Sequence, residues 1–207
     1  PTFVLAHLFD LPTADRPLVG PWVSALTTLQ EEGFRPAGLE GGAVDAVAEM
    51  FAYFGELIAE RRAHPGDDPI SALAQAEIEG ERLDDWDILG FCFVIVAGGN
   101  DTTGNLISHT VALLGSHPRQ REMLVADPGL IPGALSECLR FESSVQALAR
   151  TTTREVSVGG TTIPAGEKVM MLYGSANRDE REFGPTAGQL DITREISGHL
   201  GFARGPH

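Results

Sequence analysis

The sequence predicts a mainly α-helical fold with a small β region. Three observations carry that prediction. Apolar residues Val44, Val47, Ala48, Phe51, Phe54, Leu57 and Ile58 recur at helical spacing. A nearly uncharged run from Ile88 to Gly98 leads into a helical pattern that continues to Gly115. Beyond Arg150 the texture changes to short β-rich runs around the pair Gly159-Gly160.

Taken in chain order, Val4 to Phe9 reads as the end of a buried helix closed by Leu11-Pro12. Thr13 or Asp15 can cap a second helix over 16–29, with Pro17 in its first turn. Gly33, Gly38, Gly41 and Gly42 mark a mobile connection, and the amphipathic helix that follows ends near Arg61-Arg62, before Pro65-Gly66. Its aromatic stripe reads as core. Asp84, with Asp87 three residues on, can cap the long helix, which His117-Pro118 stops. About 30 residues at 1.5 Å each make it roughly 45 Å long, enough to cross a domain.

Glycines at 98, 99 and 104 interrupt this helix. Each lowers helix propensity by about 1 kcal/mol, so they predict either a bend where something approaches the backbone or tight helix packing. Directly after them come Asn100, Asp101, Thr102 and Thr103. An acid and a hydroxyl in an apolar segment need partners or water, because an unpaired buried polar group costs roughly 1–3 kcal/mol. A short helix over 118–125 and another over 131–141 follow, each entered through proline. Val156-Ser157-Val158 and Thr161-Thr162-Ile163 form a hairpin about the glycine pair, Pro164-Ala165-Gly166 turns the chain, and Val169 to Tyr173 is a further strand. From 174 to 207 the chain is loop-rich, and so much irregular backbone needs a function or pinning charges.

Composition narrows the function classes. A chain of 207 residues that is 43% hydrophobic can bury a sizeable core. With 15 basic and 29 acidic residues its net charge is −14, which argues against sequence-independent nucleic-acid binding. Cys92 and Cys138 lie outside any CxxC spacing, so neither a disulfide scaffold nor a zinc ribbon is expected, and a reducing cytoplasm suits them. No apolar run reaches the ~20 residues that span a bilayer. The chain opens on Pro1 and stops at His207, and it reads as a fragment of something longer.

One ordered series of motifs carries more. Gly98-Gly99-x-Asp101-Thr102 in the long helix is followed by Glu137-x-x-Arg140, whose side chains share one helix face. Arg150 then opens a strand, and Ser175-Ala176-Asn177-Arg178-Asp179, Asp191-Ile192-Thr193-Arg194 and Phe202-x-x-Gly205-x-His207 complete the series. This succession resembles the cytochrome P-450 family of haem-thiolate monooxygenases, in particular its soluble bacterial, actinobacterial members. The match runs from about Leu83 to His207, while residues 1–80 agree in helix layout alone.

The resemblance implies one partial domain over 1–207, the C-terminal half of that fold. Residues 1–80 would be lid helices and their connection, 83–117 the long helix over the distal haem face, and 131–141 the ExxR helix. The β region would be 150–173, with the meander and a truncated haem-ligand loop over 174–207. By the same resemblance Gly98 and Gly99 open a groove for dioxygen, Thr102 donates a hydrogen bond to it, and Asp101 relays protons from solvent. Glu137, Arg140 and Arg194 become a buried ion-pair triad. Arg150 and His207 contact haem propionates, Phe202 belongs to the cofactor loop, and Ile95, Val145, Gln146 and Leu148 line the substrate pocket. Val96 shares that last role or is plain core. His109 and His117 are structural.

Two departures stand out. The family's ligand loop has Gly where Ala203 stands, and Pro206 is an uncommon neighbour for the histidine. The ligating cysteine is expected two residues after His207, and neither Cys92 nor Cys138 can replace it. The implied activity of the parent is hydroxylation of a hydrophobic small molecule, using haem b, O2 and NAD(P)H-derived electrons delivered by a ferredoxin and its reductase. This chain alone is expected to be inactive, to bind no nucleic acid or membrane, and to be cytoplasmic. A peroxide-using or oxidative-coupling member, or a degenerate relative that only binds, are the alternatives.

Overall fold

The computed structural model describes residues 1–32, 41–196 and 198–204. The expected connection through Gly33 and Gly38 lies outside them, as does His207. The chain divides into two units, Pro1–Thr103 and Gly104–His207.

The first unit is helical. Helix α1, Thr2–Leu8, stops where Asp10 takes a positive φ of 49°. A 3-10 turn, Arg16–Leu18, leads into α2, Val19–Glu32. Asp15 precedes that turn without capping it through its side chain. Its carboxylate instead accepts the hydroxyl of Tyr53 at 2.9 Å, and burial pushes that phenol's pKa up. Helix α3 spans Gly41–Ala63. Helix α4, Pro69–Gln75, has the buried Asp68 as its cap and proline in its first turn. The Asp68 Oδ1 accepts from the amides of Ile70 and Ser71, and Oδ2 from Arg61 Nε at 3.0 Å.

A small hairpin of β1, Glu77–Ile78, and β2, Glu81–Arg82, precedes α5, Asp85–Gly99. The expected capping box is present, Asp84 accepting from the Asp87 amide at 2.8 Å. The core joins Phe9, Trp22, Met50, Phe54, Ile58 and Ile70 to Ile88, Cys92 and Val96 of α5. The aromatic stripe of α3 is core, as its spacing predicts: Phe54 meets Phe9 edge-on at 5.2 Å and Trp22 at 5.7 Å.

The expected long helix is two helices. α5 ends at Gly99 and α6, Asp101–Ser116, begins one residue later, so the break foreseen from the glycines falls at Asn100.

The second unit continues from α6 into α7, Pro118–Ala126, and α8, Ile131–Phe141. Strand β3, Ala147–Thr151, carries Arg150 in its body rather than at its opening. The hairpin of β4, Val156–Val158, and β5, Thr161–Ile163, is inserted before β6, Lys168–Leu172, which pairs antiparallel with β3. Gly159 and Gly160 take φ of 56° and 82°, the left-handed pair that a two-residue hairpin turn demands. Short helices α9, Tyr173–Ala176, and α10, Glu180–Phe183, punctuate the loop-rich end, and a 3-10 turn, Leu200–Phe202, follows. Among the described residues no helix is long and apolar enough to cross a membrane.

Candidate functional site

In the first unit the candidate residues gather at the break between α5 and α6. Ile88, Cys92 and Val96, each four residues apart, form the buried stripe of α5. Val96 is therefore core, and Ile95 packs half-buried against the same cluster. Extending the stripe by four reaches Asn100, whose Oδ1 accepts from Thr2 Oγ1 at 2.9 Å. Thr102 Oγ1 donates back to the carbonyl of Gly98 at 2.6 Å, a bond that favours bending where the helix is interrupted.

Asp101 is exposed, not sunk among apolar groups as the sequence suggests. It stands one residue, about 100° of helical turn, past the buried stripe. Its Oδ2 accepts from Thr27 Oγ1 of α2 at 3.2 Å.

The two glycines serve different ends. A Cβ on Gly99 would stand 3.1 Å from Leu5 Cδ2, so this glycine admits α1. A Cβ on Gly98 would meet nothing within 4 Å, so open space lies over its Cα.

The second unit builds a dense ionic centre on α8. Its strongly amphipathic sequence turns Glu137 and Arg140 inward, and both are wholly buried. The guanidinium grips the carboxylate through Nε and Nη2, each at 2.7 Å. Its other donors reach carbonyls of the loop-rich segment, with Nη1 bonding Asn177 at 2.6 Å and Ala187 at 2.8 Å, and Nη2 bonding Gln189 at 3.2 Å. All five N–H groups are thereby engaged.

Arg194 joins from the far side. Its Nε donates to Glu137 Oε1 at 3.3 Å, while the amide of Asp191 donates to the same oxygen at 2.9 Å. Arg194 also donates to the carbonyls of Phe183 and Thr186. The geometry thus brings together three residues that span 58 positions in sequence, counting from 137 to 194.

Around this centre lies a second network that sequence reasoning missed. Asn177, 1% exposed, links Ser143 of the segment after α8 to the 3-10 turn Leu200–Phe202. His199 precedes that turn, and its Nδ1 accepts from the Gly201 amide at 3.0 Å. Burial, aided by the Arg140 charge, pushes the His199 pKa down. The Asn177 signal was within reach, since the residue sits inside a quoted motif, but that motif named no partner for its amide.

Arg150 is exposed on β3 and donates through Nη2 to the carbonyl of Arg204 at 3.1 Å. Among the described residues it has no carboxylate partner, so its guanidinium keeps donors for an anionic group. Val145 is half-buried. Gln146 is committed locally, donating to the Ser143 carbonyl at 2.7 Å, and a Cβ on Gly174 would collide with its Oε1. Leu148 stands across from Met171, and both are exposed. Phe202 is 76% exposed, and Ala203 after it holds φ 60° and ψ −163°, a conformation suited to glycine.

Neither cysteine is poised as a thiolate. Burial pushes Cys92 up to about 12 and raises Cys138.

Comparison with known proteins places these features in one family. The family model described as Cytochrome P-450 matches residues 130–194, the stretch holding the ionic centre. Cytochrome P-450 130 of Mycobacterium tuberculosis is 45% identical over 209 residues, covering 100% of this chain and 51% of the relative. The biotin biosynthesis cytochrome P-450 of Bacillus subtilis is 39% identical over 207 residues, with 100% and 51% covered. Among solved structures, CYP109E1 from Bacillus megaterium in complex with testosterone superposes with a TM-score of 0.88 at 35% identity, over 99% of this chain and 54% of that one. The chain spans about half the length of the curated relatives it matches. Over that half, in sequence and in fold, the chain belongs to the cytochrome P-450 family.

Proposed function

We propose that the whole protein is a haem-thiolate monooxygenase that hydroxylates a hydrophobic small molecule. The observation that supports this best is the helix break at Asn100, where an exposed acid and a hydroxyl follow directly on the open face of Gly98. A tightly packed structural kink has no use for open space over Gly98 or for a carboxylate reachable from solvent.

The chain's donor set suits a haem. Arg150, with its uncommitted donors, would take a propionate, and the exposed ring of Phe202 would offer apolar surface. Cys92 and Cys138 are buried thiols, so the thiolate would come from the cysteine that the family resemblance expects two residues after His207. When bound, haem b supplies reductive activation of dioxygen and insertion of one oxygen atom into a C–H bond.

The chain's own residues manage protons and water. Asp101, held by Thr27, takes up a proton from solvent at its exposed carboxylate and passes it inward. The Thr102 hydroxyl, which donates its one hydrogen to the Gly98 carbonyl, would turn from that bond to donate to dioxygen. Leu148 and Met171 offer apolar surface to the substrate, with Val145 as further lining and Gln146 fixed at the edge. The relative crystallised with testosterone supports a bulky apolar substrate. Electrons come from NAD(P)H through a ferredoxin and its reductase, in the cytoplasm. Residues 1–207 alone are inactive.

The test is spectroscopic and kinetic. The full-length protein, reduced under carbon monoxide, should show a thiolate-type absorption band, and residues 1–207 should show none. Thr102→Ala should consume electrons without matching product. No band in the full-length protein would identify a binding protein instead, and unchanged coupling in Thr102→Ala would identify a peroxide-using or coupling enzyme.

A further inference from the structure

Both ends of the Asn177 amide are engaged on opposite sides. Its Nδ2 donates to Ser143 Oγ at 2.8 Å, and that hydroxyl donates to the Leu139 carbonyl at 2.8 Å in the last turn of α8. Its Oδ1 accepts from the Leu200 amide at 2.7 Å, and its own carbonyl accepts from Arg140 Nη1 at 2.6 Å. One buried residue therefore connects all three: its main-chain carbonyl meets the ionic centre, and its side chain joins the end of α8 to the turn Leu200–Phe202.

That turn has no slack against the helix. A Cβ on Gly201 would stand 3.2 Å from the Leu139 carbonyl oxygen and 2.9 Å from His199 Nδ1, so the backbone there is pressed onto α8. The requirement for asparagine is chemical. Aspartate keeps the acceptor and loses the donor, leucine keeps the volume and loses both, and glutamine moves the amide one methylene away from the positions its two partners address.

We propose that Asn177 is a positioning residue for the haem-ligand loop. It transfers the location of the Glu137–Arg140 centre to the amide of Leu200 and so sets the position of the turn Leu200–Phe202, which leads into that loop. The inference rests on the monooxygenase reading above, and it adds a residue that touches neither haem nor substrate.

The experiment uses the full-length, haem-loaded protein and the variants Asn177→Leu, Asn177→Asp and Ser143→Ala. Amide hydrogen exchange at Leu200 and the band type of the reduced protein under carbon monoxide are the readouts. Asn177→Leu should speed Leu200 exchange about tenfold, the equivalent of one lost hydrogen bond, and convert part of the thiolate-type band to the protonated-thiol type. Exchange at Glu137 and Arg140 should stay at the wild-type rate. Asn177→Asp, which still accepts from Leu200, should restore most of the thiolate-type band, a rescue that a space-filling role would not produce.

Wild-type exchange at Leu200 with an unaltered band in Asn177→Leu would overturn the proposal. So would loss of protection through the whole of α8 in all three variants. If Asn177→Leu does not fold, Ser143→Ala decides: faster Leu200 exchange supports the latch, and an unchanged rate overturns it. A wild-type protein without any thiolate-type band would instead overturn the monooxygenase reading.

Discussion

Glu137 and Arg194 meet at 3.3 Å although 57 positions separate them, and this contact ties the loop-rich end of the chain to α8. Glu137 Oε1 also accepts from Arg140 and from the Asp191 amide. Glu137→Gln should cost about 3–5 kcal/mol, because it leaves the wholly buried Arg140 charge uncompensated. Urea unfolding of the full-length protein measures it, and a loss under about 1 kcal/mol would contradict the role given to the pair.

Ala203→Gly should stabilise the loop. Ala203 sits at φ 60° and ψ −163°, where a Cβ costs on the order of 1–3 kcal/mol, against up to about 1 kcal/mol of added unfolded-state entropy for glycine. The expected gain is about 1 kcal/mol in thermal unfolding, and a loss would show that the strain is absent.

Gly98→Ala and Gly99→Ala should part company. At Gly98 the added methyl meets nothing, so the helix gains about 1 kcal/mol, while coupled turnover of the full-length enzyme falls because the methyl fills the open space. At Gly99 the methyl presses on Leu5 Cδ2 at 3.1 Å, and that crowding offsets most of the same gain. Melting curves and product-to-electron ratios for both variants test the pair.

Stability should fall as the solution is acidified through the histidine range. His199 starts from 6.5 and is pushed lower in the folded state, so the unfolded chain takes the proton first. Its contribution is complete above about 6.5 and is lost as pH drops toward the folded value. Protonation would also set an N–H of His199 against the Gly201 amide now bonded to Nδ1. His199→Asn, whose side-chain oxygen can still cap that amide, should flatten the slope between pH 7 and about 5.

What could be read in advance follows the range of the forces involved. α8 was predicted over 131–141 and is found there, because proline entry and apolar period are both local. The β4–β5 hairpin lies as predicted for the same reason, its two glycines demanding the turn. The hairpin β1–β2 went unseen, since two-residue strands of exposed Glu77 and Arg82 carry no alternation to detect. Asp101 was misplaced into the interior because an apolar run hides which face turns inward. Only the spacing of Ile88, Cys92 and Val96 shows that the acid falls off the buried stripe. Arg194 joined Glu137 only through family resemblance, and Asn177 escaped because its partners lie 23 and 34 residues away.

Arg140 spends its five donors on one carboxylate and three carbonyls, leaving nothing over. Lysine offers only three hydrogens, from a single point, and could satisfy at most part of that ring of acceptors. A keystone cut to so many faces admits no full substitute: even its nearest chemical neighbour would leave carbonyls of that ring unanswered.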